Sequence, residues 1–372
     1  MPTKRLPPRP DLTHLKHQAH DLLRDHRARD RAALQRLREF HPRFHASSDT
    51  EIAESELALS DAFLATAREY GFPSWPRLKA HVEGPTSNDD GYVPHHERVT
   101  DAVFRRAIDL LDAGDVARLR AHLLNHPDTV KKRLNFEGGN YFRTPTLLQF
   151  CAENPIRNGT LPLNIADVAR TILDAGGKDD RPSIDETLML VSSGRIARER
   201  GVQVPLIDLL CEYGADPDHA MMPALAHGEF AAADALIRLG ATIDLPAAAA
   251  LGRTRDARNL LPCATAEDRH RALALSAVHG RAEIVALLLD DGEDPNRYNP
   301  VGFHAHSTPL HQAAYSGHAD VVKLLVERRA DLTIRDILYD GTPLDWAEYA
   351  GQTSIAAYLR ANGALTASEL GR

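Results

Sequence analysis

"TPLHQAAYSGHADVVKLLVERRADLTIRD", Thr308–Asp336, is the stretch whose reading decides the fold. Thr308 can cap a helix start, and Pro309 at the first helical position gives up no N–H that the helix needs. Leu310, Ala313 and Ala314 make a small apolar face. Gly317 breaks this helix at a tight turn, because a residue without a Cβ enters left-handed backbone freely. A second helix follows, apolar at Val321, Val322, Leu324, Leu325 and Val326 and polar at Lys323, Glu327 and Arg328. From Asp331 the β-prone Leu332, Thr333 and Ile334 lead toward the next unit. One such pair cannot bury its apolar side alone, whereas stacked copies can.

Copies are present. "TPLDWAEYAGQTSIAAYLRANGALT" begins 34 residues later at Thr342, and "RALALSAVHGRAEIVALLLDDGEDPN" begins at Arg271, 37 residues before Thr308. Gly280, Gly317 and Gly351 hold one position in all three, and the longer interval takes its extra residues in "NRYNPVGFHAHS". With its T-P-L-H-x-A signature recurring at this period, the chain resembles the ankyrin-repeat family. That resemblance implies an all-α solenoid of helix pairs with short β-turn fingers. It also implies a structural role for His311, bonded to neighbouring turn backbone and to the threonine of its own repeat. Two departures stand out: Asp345 replaces this histidine in the last unit, and Arg329 stands where the family usually has glycine.

Upstream the units degenerate. "ALAHGEFAAADALIRLGATIDL" and "PAAAALGRTRDARNLL" are shortened, and the unit starting at Thr144 carries an inserted loop between its helices. Roughly eight helix pairs are expected from about Asp101 to Ala364. The first residues differ in kind. "DLTHLKHQAHDLLRDHRARDRAALQRLREFHP" reads as an amphipathic helix pair with Leu12, Leu15, Ala19, Leu22 and Leu23 on one side. "LALSDAFLATAREYGFPSWPRLKAHVE" reads as another, with Trp75 as an anchor, and "GPTSNDDGYVPHHE" has the composition of a linker. The combination is similar to bacterial ankyrin-repeat proteins with a helical N-terminal cap. The expected division is a small helical domain at 1–84, a linker at 85–100 and an ankyrin-repeat domain at 101–372.

Composition narrows the function classes. Forty-four Lys and Arg against 52 Asp and Glu leave a net charge of −8, a poor balance for general phosphate contact, so nucleic acid is not an expected partner. The basic N-terminal stretch reads as a solvated helix face. Cys151, Cys211 and Cys263 are far apart and sit in apolar contexts, which predicts small buried thiols in a reducing compartment. The first residues lack an apolar signal core, and no apolar run is long enough to cross a bilayer, so a cytoplasmic protein is expected. Gly-x-Ser-x-Gly, a phosphate-cradling Gly-rich loop ending in Lys-Ser or Lys-Thr, and His-Glu-x-x-His are all absent.

The candidate residues lie where the repeat needs only a tight turn. The insertion around residues 297–307 carries Tyr298, Phe303, His304 and His306, and the next finger carries Asp336, Tyr339 and Asp340. If the segment is extended, His304 and His306 project together and could supply two ligands to a transition metal, the one cofactor this pattern admits. A second enlarged finger, 135–146, carries Glu137, Tyr141, Phe142 and Arg143, and "AENPIRNG" adds Asn154 and Arg157. The leading reading is a non-enzymatic scaffold that binds a protein partner through its concave face and fingers, anchored by Tyr298, Phe303, His304, His306, Tyr141, Phe142, Arg143 and Tyr339. The alternative is a ligand-binding or metal-assisted catalytic site between the two enlarged fingers.

Overall fold

A computed structural model describes residues 12–41, 47–55, 59–72, 75–82, 95–136 and 141–370, and positions 4, 6, 44 and 57 besides. Most of the expected linker, and Glu137 of the first enlarged finger, lie outside the described residues. Among the described residues the chain is helical and no strand forms. Successive helix pairs within each unit bear out the all-α solenoid.

The chain forms two compact units that do not follow chain order. One joins Met1–Gly91 to Arg269–Arg372, and the other is Tyr92–Asp268. The reason is where the N-terminal helices find apolar cover. α1 (Leu12–Arg27), α2 (Arg31–Phe40), α3 (Asp49–Glu54), α4 (Leu59–Glu69) and α5 (Trp75–Val82) share a core built on Leu15, Leu22, Leu37, Ile52 and Leu78. Ala367, from the far end of the chain, belongs to the same core. Asp30 caps α2 by accepting from the Ala33 N–H at 3.0 Å, and Ser48 and Glu51 form a capping box on α3. Glu69 is buried in this unit between Lys4 and Arg36. Burial alone would raise its pKa, but the hydrogen bonds from Arg36 and Lys4 more than offset that and hold it below the usual range.

The repeats of this unit are α16 (Ala266–Val278) with α17 (Ala282–Asp290), α18 (Pro309–Ser316) with α19 (Ala319–Glu327), and α20 (Pro343–Tyr349) with α21 (Thr353–Ala361), followed by α22 (Ala367–Leu370). His311 has the role that the resemblance implies. It is fully buried, its Nδ1 accepts from the Thr308 hydroxyl at 2.7 Å, and its Nε2–H donates to the Gly341 carbonyl at 3.1 Å. In the last repeat Asp345 takes over: its Oδ2 accepts from the Thr342 N–H at 2.8 Å and hydroxyl at 2.9 Å, and from the Ala367 N–H at 2.8 Å. The exchange fits its neighbour. His311 faces a carbonyl in the next finger and needs a donor, whereas Asp345 faces the free N–H that opens α22 and needs an acceptor.

The second unit holds α6 (Ala102–Asp112) with α7 (Val116–Asn125), α8 (Ile165–Asp174), α9 (Arg181–Ser192), α10 (Arg195–Glu199) and α11 (Gln203–Glu212). It continues with α12 (Pro217–Ala226) and α13 (Phe230–Arg238), then α14 (Leu245–Leu251) and α15 (Thr254–Leu260). The helix expected after Thr144 shrinks to a 3-10 turn, Leu148–Ala152, and just ahead of it the Thr146 N–H donates to Gln149 Oε1 at 2.8 Å. The inserted loop behind it is fastened inward. The Glu153 carboxylate accepts N–H groups from Arg157 at 2.7 Å and Gly159 at 2.8 Å, and also from Asn158. The Arg157 guanidinium pairs with Asp112 at 2.8 Å and Glu153 at 3.0 Å, with its side chain only 1% exposed. Arg157 is thus a fastener and not the exposed finger contact its loop position suggests.

Candidate functional site

Within the first unit, α4 and α5 lean on the last repeat. Lys79 Nζ of α5 donates to the Leu338 carbonyl at 3.0 Å, and Arg27 of α1 reaches Ser368 Oγ of α22 at 3.0 Å. Between these helices and the repeats lies a cavity of about 380 Å³, walled by Phe63, Trp75, His304, His306, Gln312, Tyr315, Tyr339, Gly341, Asp345, Trp346 and Tyr349. Its size falls in the ordinary range of small-molecule sites, roughly 300–1,000 Å³.

Trp346, one turn into α20, is the hub. Its Nε1–H donates to Asp336 Oδ2 at 2.9 Å, and Asp336 also accepts the N–H groups of Leu338, Tyr339 and Gly341 at 2.7–2.9 Å. One buried carboxylate therefore sets both the finger and the indole. Around the indole stand His306 at 5.7 Å, Tyr315 at 5.8 Å and Tyr339 at 6.4 Å between ring centroids. Tyr315 stacks with Tyr349 at 6.5 Å, and across the cavity wall Phe63 stacks on Trp75 at 4.3 Å. Asp345 supplies a carboxylate whose Oδ1 is buried and meets no donor. Burial raises the Asp345 pKa, the donors at Oδ2 oppose this, and Glu369 adds to the rise. Burial lowers the pKa of His306, with Asp336 opposing and Lys79 reinforcing, so this imidazole is neutral at neutral pH.

His304 and His306 both reach this wall, but not by alternation along an extended segment. Tight turns carry the chain there: the Phe303 N–H donates to the Pro300 carbonyl and the Ser307 N–H to the His304 carbonyl, each at 3.0 Å. His304 adopts left-handed backbone at φ 47°. The two rings lie 6.0 Å apart at 74°. Among the described residues no group of three or more His, Cys, Asp and Glu is placed to hold a metal ion.

The other expected anchors divide. Tyr339 lines the cavity and is 37% exposed; Tyr298 is partly exposed, with its hydroxyl donating to the Arg335 carbonyl at 2.7 Å. Phe303 is a correction: at 3% exposure it is a core side chain, its ring edge-on to His304 at 5.0 Å. Phe142 is another, 2% exposed and packed edge-on against His95 and Phe150, both at 5.2 Å. Tyr141 is exposed and donates to Asn154 Oδ1 at 2.6 Å, and Arg143 is exposed, with its carbonyl accepting the Phe136 N–H at 2.8 Å. Finger 135–146 belongs to the second unit and the His304 loop to the first. Cys151 is buried as expected, Cys211 is intermediate, and Cys263 is exposed, contrary to its apolar context.

Reading loops alone missed Phe63, Tyr315, Trp346 and Tyr349. A signal existed: in a chain only 6% aromatic, Trp346 and Tyr349 stand three residues apart, one helical face, on the inner helix of a repeat.

A family model described as ankyrin repeats (3 copies) matches residues 245–336 and 299–368. Over 120 residues the chain is 34% identical to a cyclin-dependent kinase inhibitor 2A of Monodelphis domestica, covering 31% of this chain and 68% of that protein. It is 32% identical over 126 residues to a cyclin-dependent kinase 4 inhibitor B of Bos taurus, covering 33% of this chain and 93% of that protein. It is also 42% identical over 71 residues to an ankyrin repeat-containing protein of Schizosaccharomyces pombe, covering 19% of this chain and 31% of that protein. No helix among the described residues is long and apolar enough to cross a membrane.

Proposed function

Because this chain belongs to the ankyrin-repeat family, whose fold serves protein interaction, we propose that it binds a protein partner across the face formed by its last two repeats and their fingers. One observation carries the reading. Tyr315, Tyr349, Ile337, Leu338, Tyr339 and Val301 are large apolar or aromatic side chains left exposed in one stretch of two successive repeats. Repeat stacking does not require them: Leu310, Ala313, Ala314, Leu344 and Ala347 already fill the interior. Exposed aromatic residues of this kind are what interaction hot spots are made of. Two relatives are named as inhibitors of kinases, which supports a protein as partner. The proposed surface keeps the expected Tyr339, adds Tyr349 and Ile337, and leaves out the buried Phe303 and Phe142.

The test is affinity capture from the native host with wild-type protein and an Ile337→Ser, Tyr349→Ala variant. The expected result is a protein retained by the wild type and lost by the variant, with thermal stability unchanged. Equal retention by both would overturn the assignment of this face.

A further inference from the structure

The cavity beside this face has a chemistry of its own. Phe63 and Trp75 enter it from α4 and α5, and Tyr315, Trp346 and Tyr349 from the repeats. Aromatic faces carry negative electrostatic character. The wall also contains Asp345, with one oxygen that meets no donor. An anion would be opposed by both features, and an uncharged apolar ligand would leave the oxygen unpaired. A cation with an apolar periphery is favoured by both. Tyr339, a further wall residue, already has the Lys79 ammonium 5.4 Å from its ring centre, which leaves the other rings to a ligand.

We propose that this aromatic pocket binds an organic ammonium cation, held between the ring faces and the Asp345 carboxylate. Its source is either a basic, N-methylated side chain of the protein partner or a free quaternary ammonium compound. The pocket adjoins the face assigned to the partner, but the titration below needs no partner, so either reading can fail without the other.

Both tryptophans of the chain, Trp75 and Trp346, line the pocket, so intrinsic fluorescence reports its occupancy directly. The full chain is titrated with choline and with its uncharged isostere 3,3-dimethylbutan-1-ol. The expected result is a saturable change with choline at an affinity at least about tenfold above that of the alcohol. Asp345→Asn and Tyr349→Ala should each weaken choline severalfold. Asp345 also caps α20, and Tyr349, which is exposed, keeps the test valid if the Asp345 variant folds poorly. A trimethyllysine peptide that binds more tightly than choline assigns the cation to a partner's side chain, and one that binds no better assigns it to a free small molecule. Equal affinity for choline and the alcohol, or no saturable response to either, overturns the proposal.

Discussion

Acidification should loosen the first unit through His311, and a single substitution isolates the effect. The imidazole is fully buried, with Nδ1 accepting from Thr308 and Nε2–H committed to the Gly341 carbonyl. A second ring proton would displace the Thr308 donor inside an apolar site. Burial accordingly pushes the pKa down from 6.5 to about 4, with Asp336 and the Gly341 hydrogen bond pulling upward and His306 slightly downward. Above pH 6.5 the ring is neutral whether the chain is folded or not, and the stabilisation is complete. As pH falls below 6.5 the unfolded chain takes up a proton that the folded chain refuses until about pH 4. Stability then declines by ~1.4 kcal/mol per pH unit, reaching a loss of about 3 kcal/mol near pH 4. His311→Gln keeps a donor for Gly341 but removes the titrating group. It should lower stability at pH 7.5 by about 1–2 kcal/mol for the lost cap. Urea unfolding is followed by tryptophan fluorescence, which reports this unit because Trp75 and Trp346 both lie in it. Between pH 7.5 and 4.5 the wild type should lose about 2.5 kcal/mol more than the variant. Equal losses in the two proteins would refute the reasoning.

Arg157→Met should cost the second unit about 3–5 kcal/mol, since it leaves Glu153 buried without its cation; circular dichroism during urea unfolding measures this, and adding Glu153→Gln should recover part of the loss. Phe303→Ala should cost about 3–5 kcal/mol by emptying a core site, read as a clear fall in melting temperature. Tyr349→Ala, at an exposed position, should shift stability by no more than about 0.5 kcal/mol in the same assay.

The repeats were legible because their signals are local. Thr-Pro starts, the glycine between paired helices and 3.6-residue apolar spacing all act within one unit, and Thr308, Pro309 and Gly317 do what their chemistry predicts. Loop residues were harder. Phe303 and Phe142 look free because the scaffold does not need them, yet both rings are buried, Phe142 against His95 and Phe150 from outside its own finger. The two-residue spacing of His304 and His306 suggests one face only if the backbone is extended, and a left-handed residue at His304 breaks that premise. The pocket was out of reach for a different reason: Phe63 and Trp75 meet Trp346 through a contact spanning most of the chain, and no local pattern encodes that meeting.

That long-range meeting has a consequence for how such a chain is assembled and revised. Helical arrays usually gain or shed a copy at either tip, since a tip leans on one neighbour alone. Here the stretch carrying Ala367 and Ser368, after the last matched copy, is joined to the N-terminal helices through a shared interior. Helices synthesised before Tyr92–Asp268 thus complete their interior only when Ala367, made after it, arrives. A change at Ala367 or Ser368 therefore reaches the N-terminal helices as well as the last copy.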